Sequence, residues 1–87
     1  MSIVSKTIKY LLDKNISVST AESCTGGLLA AEFTAVSGIS KIYKTGLITY
    51  SNDSKIKNLK VKSSTIKRYG AVSRQVCAQM CLHLHKI

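Results

Sequence analysis

Three side chains of this chain carry the groups of an acyl-transfer site, provided that the fold brings them together. Ser23 offers a hydroxyl nucleophile within the run Thr20–Gly27. A serine reacts only when a base removes its proton, and neither of the two histidines belongs to a recognisable serine–histidine motif. Lys55 is the better candidate for the base, and Tyr50 lies close before it in the chain. The residue types therefore predict nucleophilic catalysis by Ser23, with Lys55 as the general base.

The backbone beside Ser23 offers further groups for the same chemistry. The N–H groups of Thr25, Gly26 and Gly27 are expected to point toward the reacting edge, where they would stabilise an oxyanion or hold a phosphate. Each feature also has a simpler interpretation. Ser23 or Thr25 is a common type of helix cap, a glycine pair usually marks a tight turn, and Lys55 is an ordinary surface residue. From spacing alone, both sets of interpretations stay open, and the simpler one is the more common.

The hydrophobic pattern predicts the elements that must position these residues. Residues 16–20 alternate apolar and polar side chains, as a half-buried strand does, and Thr45–Tyr50 is a second run of strand type. Helices are predicted over residues 3–14, 25–35, 55–59 and 63–70, and after Ser73. In the last helix one stripe is predicted to be buried: Val76, Met80, Leu84 and Ile87. If the two strands are parallel neighbours, the three candidate side chains gather at the carboxyl edge, where ligand sites of open α/β sheets lie.

This alternation of helices and strands predicts an α/β fold in a single domain over residues 1–87. Only two strands are predicted, and a two-stranded sheet is marginal by itself. We therefore expect the chain to be part of a larger α/β domain that another copy or another chain completes.

The cysteines do not predict a disulfide framework or a metal site. Their number, three, is odd, which favours reduced thiols. Cys24 is interpreted as a small buried residue under the following helix rather than as a reactive thiol. Cys77, Cys81 and His85 recur on one helix face, but a straight helix cannot close a tetrahedral site alone. We predict no metal and interpret the two cysteines as packing residues.

Composition limits the partners. The net charge of +9 allows an anion-binding face for nucleotide or nucleic acid. The favoured explanation of this charge is a general bias of the amino-acid composition toward lysine rather than a binding surface. Of the 13 basic residues 11 are lysine, and no nucleic-acid motif accompanies them. No apolar run approaches the ~20 residues that cross a bilayer, and the N-terminus lacks the layout of a signal peptide. A cytoplasmic protein is therefore expected, without a membrane or nucleic-acid partner.

Three motifs in this order resemble one known family. Thr20–Gly27, Gly46–Asn52 with Lys55, and Tyr69–Ser73 together closely resemble the C-terminal domain of CinA, a family that includes stand-alone nicotinamide-nucleotide amidases. The resemblance extends over essentially the whole chain. It implies an α/β/α sandwich that hydrolyses nicotinamide mononucleotide to nicotinate mononucleotide and ammonia, a salvage step of the pyridine nucleotide cycle. No metal or other cofactor is implied.

The resemblance also implies roles for individual residues. Ser23 would be the nucleophile, Lys55 its general base and Tyr50 an assisting or positioning residue. Weaker candidates in the matched motifs would bind or orient the substrate: Glu22, Thr25, Gly26, Gly27 and Asn52.

The chain departs from the family pattern mainly in length. The family domain is close to twice as long, and its second half brings further strands and a Gly-rich loop that helps form the nucleotide site. Asp53-Ser54 stands where the family tends to have Glu-Ala, and the ending Cys81–Ile87 is atypical. We expect an incomplete three-layer α/β/α sandwich, the N-terminal half of such a domain. It would act as a truncated amidase, persist as an inactive remnant, or work only with a second copy or a complementing C-terminal half. A basic nucleic-acid-binding module is the remaining alternative.

Overall fold

The chain folds around two parallel strands with helices on both sides. A computed structural model describes residues 2–87. The strands are β1 (Val18–Glu22) and β2 (Tyr43–Ile48). The helices are α1 (Ile3–Asp13), α2 (Leu28–Thr34), α3 (Asn52–Leu59), α4 (Ser63–Tyr69) and α5 (Arg74–His85), and a one-turn 3-10 helix spans Ile39–Lys41.

The two strands run in parallel, so that both carboxyl ends lie at the same edge of the sheet. Val18 pairs with Tyr43, whereas Thr20 pairs with Gly46, which leaves one extra residue in β2. This irregularity is a β-bulge, in which two consecutive residues of one strand oppose a single residue of the other. The predicted parallel pairing is confirmed.

The first strand begins later than predicted and ends later too. Ile16, predicted as its first residue, instead donates its amide to the Leu11 carbonyl at 2.9 Å and closes the end of α1. Asn15 takes a left-handed conformation there, with φ of 54°. At the other end the ladder continues, because the Thr49 amide donates to the Glu22 carbonyl at 2.8 Å. Glu22 is therefore a strand residue.

The second strand and the second helix are also shifted from their predicted bounds. The prediction for β2, residues 45–50, starts two residues late, because pairing begins before the bulge. Helix α2 begins at Leu28 rather than near Thr25. Gly26 and Gly27 have φ values of 61° and 107°, a conformation outside the right-handed helix. The glycine pair is thus a turn that precedes the helix.

Each face of the sheet carries its own apolar cluster. Helices α1 and α2 and the 3-10 helix cover one face around the buried residues Ile8, Ile39 and Ile42. Helices α3, α4 and α5 cover the other face around the buried residues Leu59, Val61, Val76, Met80 and Leu84. Five helices in two layers around a small parallel sheet confirm the predicted α/β architecture. Within residues 2–87 no helix is long and apolar enough to cross a membrane.

The predicted burial of the cysteines is wrong. In α5 the buried stripe follows Val76, Met80 and Leu84, and Cys77 and Cys81 lie one position further round the helix, where they are exposed. Ile87, also predicted in the stripe, follows the end of α5 and is 73% exposed. Cys24 is exposed as well, because it lies in the turn after β1 rather than under α2.

Replacing Leu59 by alanine should test the cluster beneath α3, α4 and α5. Leu59 is fully buried, and opening a cavity there should lower the free energy of unfolding by about 2–5 kcal/mol. Leu82→Ala is the matched control, because Leu82 is 55% exposed and should change that free energy by less than about 0.5 kcal/mol. Urea titrations of the three chains measure both values. Equal losses from the two variants would contradict the assignment of this core.

Candidate active site

The three residues predicted to carry chemistry meet at the carboxyl edge of the sheet. Ser23 directly follows β1, Tyr50 lies just beyond β2, and Lys55 is in the first turns of α3. The Tyr50 carbonyl accepts a hydrogen bond from Lys55 Nζ at 3.0 Å and one from Ser23 Oγ at 3.5 Å. The Ser23 hydroxyl and the Lys55 amino group therefore share one acceptor and are not hydrogen-bonded directly to each other.

Helix α3 holds Lys55 in the interior. The helix begins directly after Ser51, whose side chain accepts the Ser54 amide at 3.0 Å, and so its first turn brings the Lys55 side chain back over Tyr50. Lys55 is only 2% exposed. Within residues 2–87 the one ion pair joins Lys57 to Asp53, so no carboxylate of the described chain pairs with Lys55. A buried lysine without a carboxylate partner is unusual in a protein core.

Tyr50 and Asn52 present their side chains to solvent at this edge. The Tyr50 side chain is 70% exposed, and the only hydrogen bonds found for this residue at the site are those that its carbonyl accepts, within the part of the chain described. Asn52 is the first residue of α3 and is also exposed. Both side chains are accessible to a ligand bound at the carboxyl edge.

Glu22 fixes the turn that carries Ser23. Its carboxylate is buried and accepts hydrogen bonds from Thr25 Oγ1 at 2.7 Å and from the amides of Leu29 at 2.7 Å and Ala30 at 3.0 Å. Burial raises the pKa of Glu22, but these bonds and the Gly27 amide outweigh it and hold the pKa below its usual value. The ionised carboxylate therefore lies against the positive end of α2.

Only part of the predicted oxyanion site is available. The Gly26 amide donates to the Ser23 carbonyl at 3.0 Å. The Gly27 amide faces the Glu22 carboxylate and helps to lower its pKa. The prediction that both point toward a ligand is therefore wrong. For the Thr25 amide no acceptor is found among residues 2–87, so it remains the donor of the three that a ligand can use. The alternative role of Ser23 or Thr25 as the cap residue of α2 is not seen either, because that position is Gly27.

Sequence reasoning missed Thr49 at the same edge. Thr49 is 2% exposed, and its Oγ1 has no hydrogen-bond partner in the described part of the chain. It lies between β2 and Tyr50, where it continues the alternation of the strand. That alternation was the available signal, because it places every second residue on the covered face.

The amino-acid sequence of the chain matches one protein family over its whole length. Residues 1–87 match the model of the CinA C-terminal domain family. The chain belongs to this family. Among curated CinA relatives, a competence-damage inducible protein of Clostridium novyi is 52% identical over 79 residues, which are 91% of this chain and 19% of that protein. One from Acetivibrio thermocellus is 49% identical with the same coverage.

Solved structures of CinA proteins share the fold. A CinA superfamily protein of Escherichia coli has a TM-score of 0.90 and 35% identity, over 95% of this chain and 48% of that one. A competence/damage inducible protein of Agrobacterium tumefaciens has a TM-score of 0.88 and 40% identity, over 95% of this chain and 51% of that one. The chain thus spans about half the length of these solved CinA proteins and about a fifth of the curated relatives.

The Glu22 network should make stability depend on pH in the acidic range. The native pKa of Glu22 lies below its ordinary value of 4.5, so the stabilisation is fully present above that value and is lost as the pH falls through the native pKa. Urea midpoints measured from about pH 6 to about pH 3 should therefore fall with pH. Glu22→Gln should be less stable at neutral pH and should show a flatter dependence. Glu32→Gln, at an exposed position of α2, is the control and should keep the wild-type slope. A wild-type slope in Glu22→Gln would contradict this role.

Proposed function

We propose that this chain carries the nucleophile and the general base of an amidase that hydrolyses nicotinamide mononucleotide to nicotinate mononucleotide and ammonia. The observation that carries the proposal is the shared acceptor, the Tyr50 carbonyl, which lies 3.0 Å from the buried Lys55 Nζ and 3.5 Å from Ser23 Oγ. Membership of the CinA C-terminal domain family and the resemblance of all three motifs support the same assignment. Since the substrate is an intracellular nucleotide, the cytoplasm is the expected compartment.

The reaction would proceed in two displacements. Lys55, as the free amine, takes the Ser23 proton, and Oγ attacks the carboxamide carbon to form a tetrahedral oxyanion. The C–N bond then breaks, the lysine ammonium returns a proton to the leaving nitrogen, and ammonia departs from a seryl ester. Water, deprotonated by the same lysine, cleaves the ester and releases the carboxylate and the Ser23 hydroxyl. Nucleophile and base are side chains, so this chemistry needs neither metal nor organic cofactor.

Other groups at the edge would bind and orient the substrate. The Thr25 amide is the donor that a developing oxyanion would use. Tyr50 and Asn52 have exposed side chains at the rim of the edge and would contact the nucleotide. Glu22 and the glycine pair act one step away, because they hold the turn on which Ser23 lies. We therefore propose Glu22, Gly26 and Gly27 as positioning residues.

The activity is tested with the full 87-residue chain and nicotinamide mononucleotide, by measuring ammonia and nicotinate mononucleotide together. Ser23→Ala should lower kcat/KM by about a thousandfold or more, because no other nucleophile replaces the hydroxyl. Lys55→Met keeps the apolar stem and should have an effect of similar size. Lys57→Met and Ser37→Ala are the matched controls at exposed positions and should retain activity. Ser23→Ala turnover equal to wild type would exclude Ser23 as the nucleophile.

A half-domain that acts only with a complementing chain is the second candidate. Within residues 2–87 the sheet has two strands, and large apolar side chains are exposed at the end of β2 and before α5, where Ile48 is 54% and Val72 is 87% exposed. If this candidate holds, the chain alone gives no product, and product forms after mixing with the remaining half of the Escherichia coli CinA domain. Product in the mixture should again require Ser23. Absence of product in both arrangements would leave the inactive form as the correct description and overturn both amidase proposals.

A further inference from the structure

A concave site lies at the opposite end of the sheet from Ser23 and Lys55. It is a cavity of about 330 Å³ at the amino ends of the strands, closed on one side by the last turns of α5. Hydroxyls of Ser17, Ser19 and Thr45 line it, together with the charged side chain of Lys44. None of these four side chains has a hydrogen-bond partner within residues 2–87, and no lining side chain is acidic.

The bulge in β2 explains how these groups converge. In a regular strand, consecutive residues point to opposite faces. Here Lys44 and Thr45 both lie opposite Ser19, because the register shifts between the pairs Val18–Tyr43 and Thr20–Gly46. Both residues consequently line the same cavity. Bulges are known to re-aim a side chain beside a functional site.

The chemistry of the lining favours an anion with an organic part. Lysine and hydroxyl groups are donors suited to a phosphoryl group. The remaining walls include apolar side chains, Val18 and Leu84, which suit an uncharged portion of the ligand. The volume lies within the range of small-molecule sites, about 300–1,000 Å³.

A metal ion is less well suited to the same cavity. Cys81 and His85 are spaced i, i+4 on α5 and line the cavity, which is a geometry for two metal ligands. Lys44 lines the same space, however, and no Asp or Glu side chain does, so the lining side chains give a cation a positive charge and no acidic ligand. No group of three or more metal-ligating side chains is found within residues 2–87.

The end of α5 is compatible with an anion. A helix C-terminus carries partial negative charge and by itself opposes one. The amides of Lys86 and Ile87 donate to the carbonyls of His83 and Leu84, at 3.2 and 3.1 Å. Two carbonyls of the last turn therefore already have hydrogen-bond donors. The helix contributes side chains to the cavity wall, His85 among them.

From these observations we propose that the amino-edge cavity binds a small phosphorylated organic molecule, through Lys44 and the hydroxyls of Ser19 and Thr45. This site is separate from the proposed amidase site, and the two can be tested independently.

The test is a titration of the 15N-labelled 87-residue chain with adenosine monophosphate, followed by amide NMR shifts. The largest shifts should fall at residues 17–19 and 44–45, and those around Ser23 and Lys55 should be small. Lys44→Gln should weaken binding about tenfold, since it removes a charged hydrogen-bond donor. Ser19→Ala should weaken it by a smaller factor. Lys9→Gln, at an exposed position of α1, makes the same charge change and should alter the dissociation constant by less than about twofold.

Three results would overturn the proposal. Equal weakening by Lys44→Gln and Lys9→Gln would show that binding follows net charge alone. Orthophosphate binding as tightly as adenosine monophosphate would exclude a role for the apolar wall. Shifts of Cys81 and His85 with Zn²⁺, in the absence of any phosphate response, would assign the cavity to a metal. The urea midpoint of each variant shows that it is folded.

Discussion

The interaction on which the rest of the site depends is the capture of the Glu22 carboxylate by the start of α2. A buried carboxylate without a cation is costly unless donors surround it, and here one hydroxyl and the amides of Leu29 and Ala30 do so. The bonds join the last residue of β1 to the first turn of α2 across the glycine turn. Because Ser23 directly follows Glu22, the same bonds determine where its hydroxyl lies.

Parallel pairing supplies the second constraint. The Glu22 carbonyl accepts the Thr49 amide, which holds the two strand ends together at the carboxyl edge. Tyr50 then follows immediately, and its carbonyl reaches both Ser23 and Lys55. One backbone oxygen thus links the proposed nucleophile, from one strand end, to the proposed base in the next helix. A Tyr50 substitution that kept the backbone in place would leave this link intact, since the phenol is not part of it.

The sequence was sufficient for the architecture and for the gathering of Ser23, Tyr50 and Lys55, because a strand period of two and short loops leave few arrangements of two parallel strands. The sequence was not sufficient to predict which groups bind the Glu22 carboxylate. Two of its three partners are in a helix that starts after two glycines with positive φ, and the predicted helix over residues 25–35 includes both glycines. The predicted burial of Cys77 and Cys81 was wrong because it depends on their exact position around the helix. A shift of one position around α5 moves a residue by about 100° and decides whether it is buried.

The β2 bulge connects the two ends of the sheet. Before it, Tyr43 lies on the face covered by α2; after it, Gly46 lies on that face, and the Tyr43 hydroxyl bonds Thr20 across it. A Cβ at position 46 would come within 2.5 Å of that hydroxyl, so any other residue there would have to displace the end of the Tyr43 side chain. The extra residue resets the alternation for everything downstream. Leu47 consequently packs on the α5 side, and Thr49 continues on that side, buried beside the carboxyl edge. The same insertion that places Lys44 and Thr45 at the amino-edge cavity therefore also sets the alternation of β2 as it approaches Tyr50.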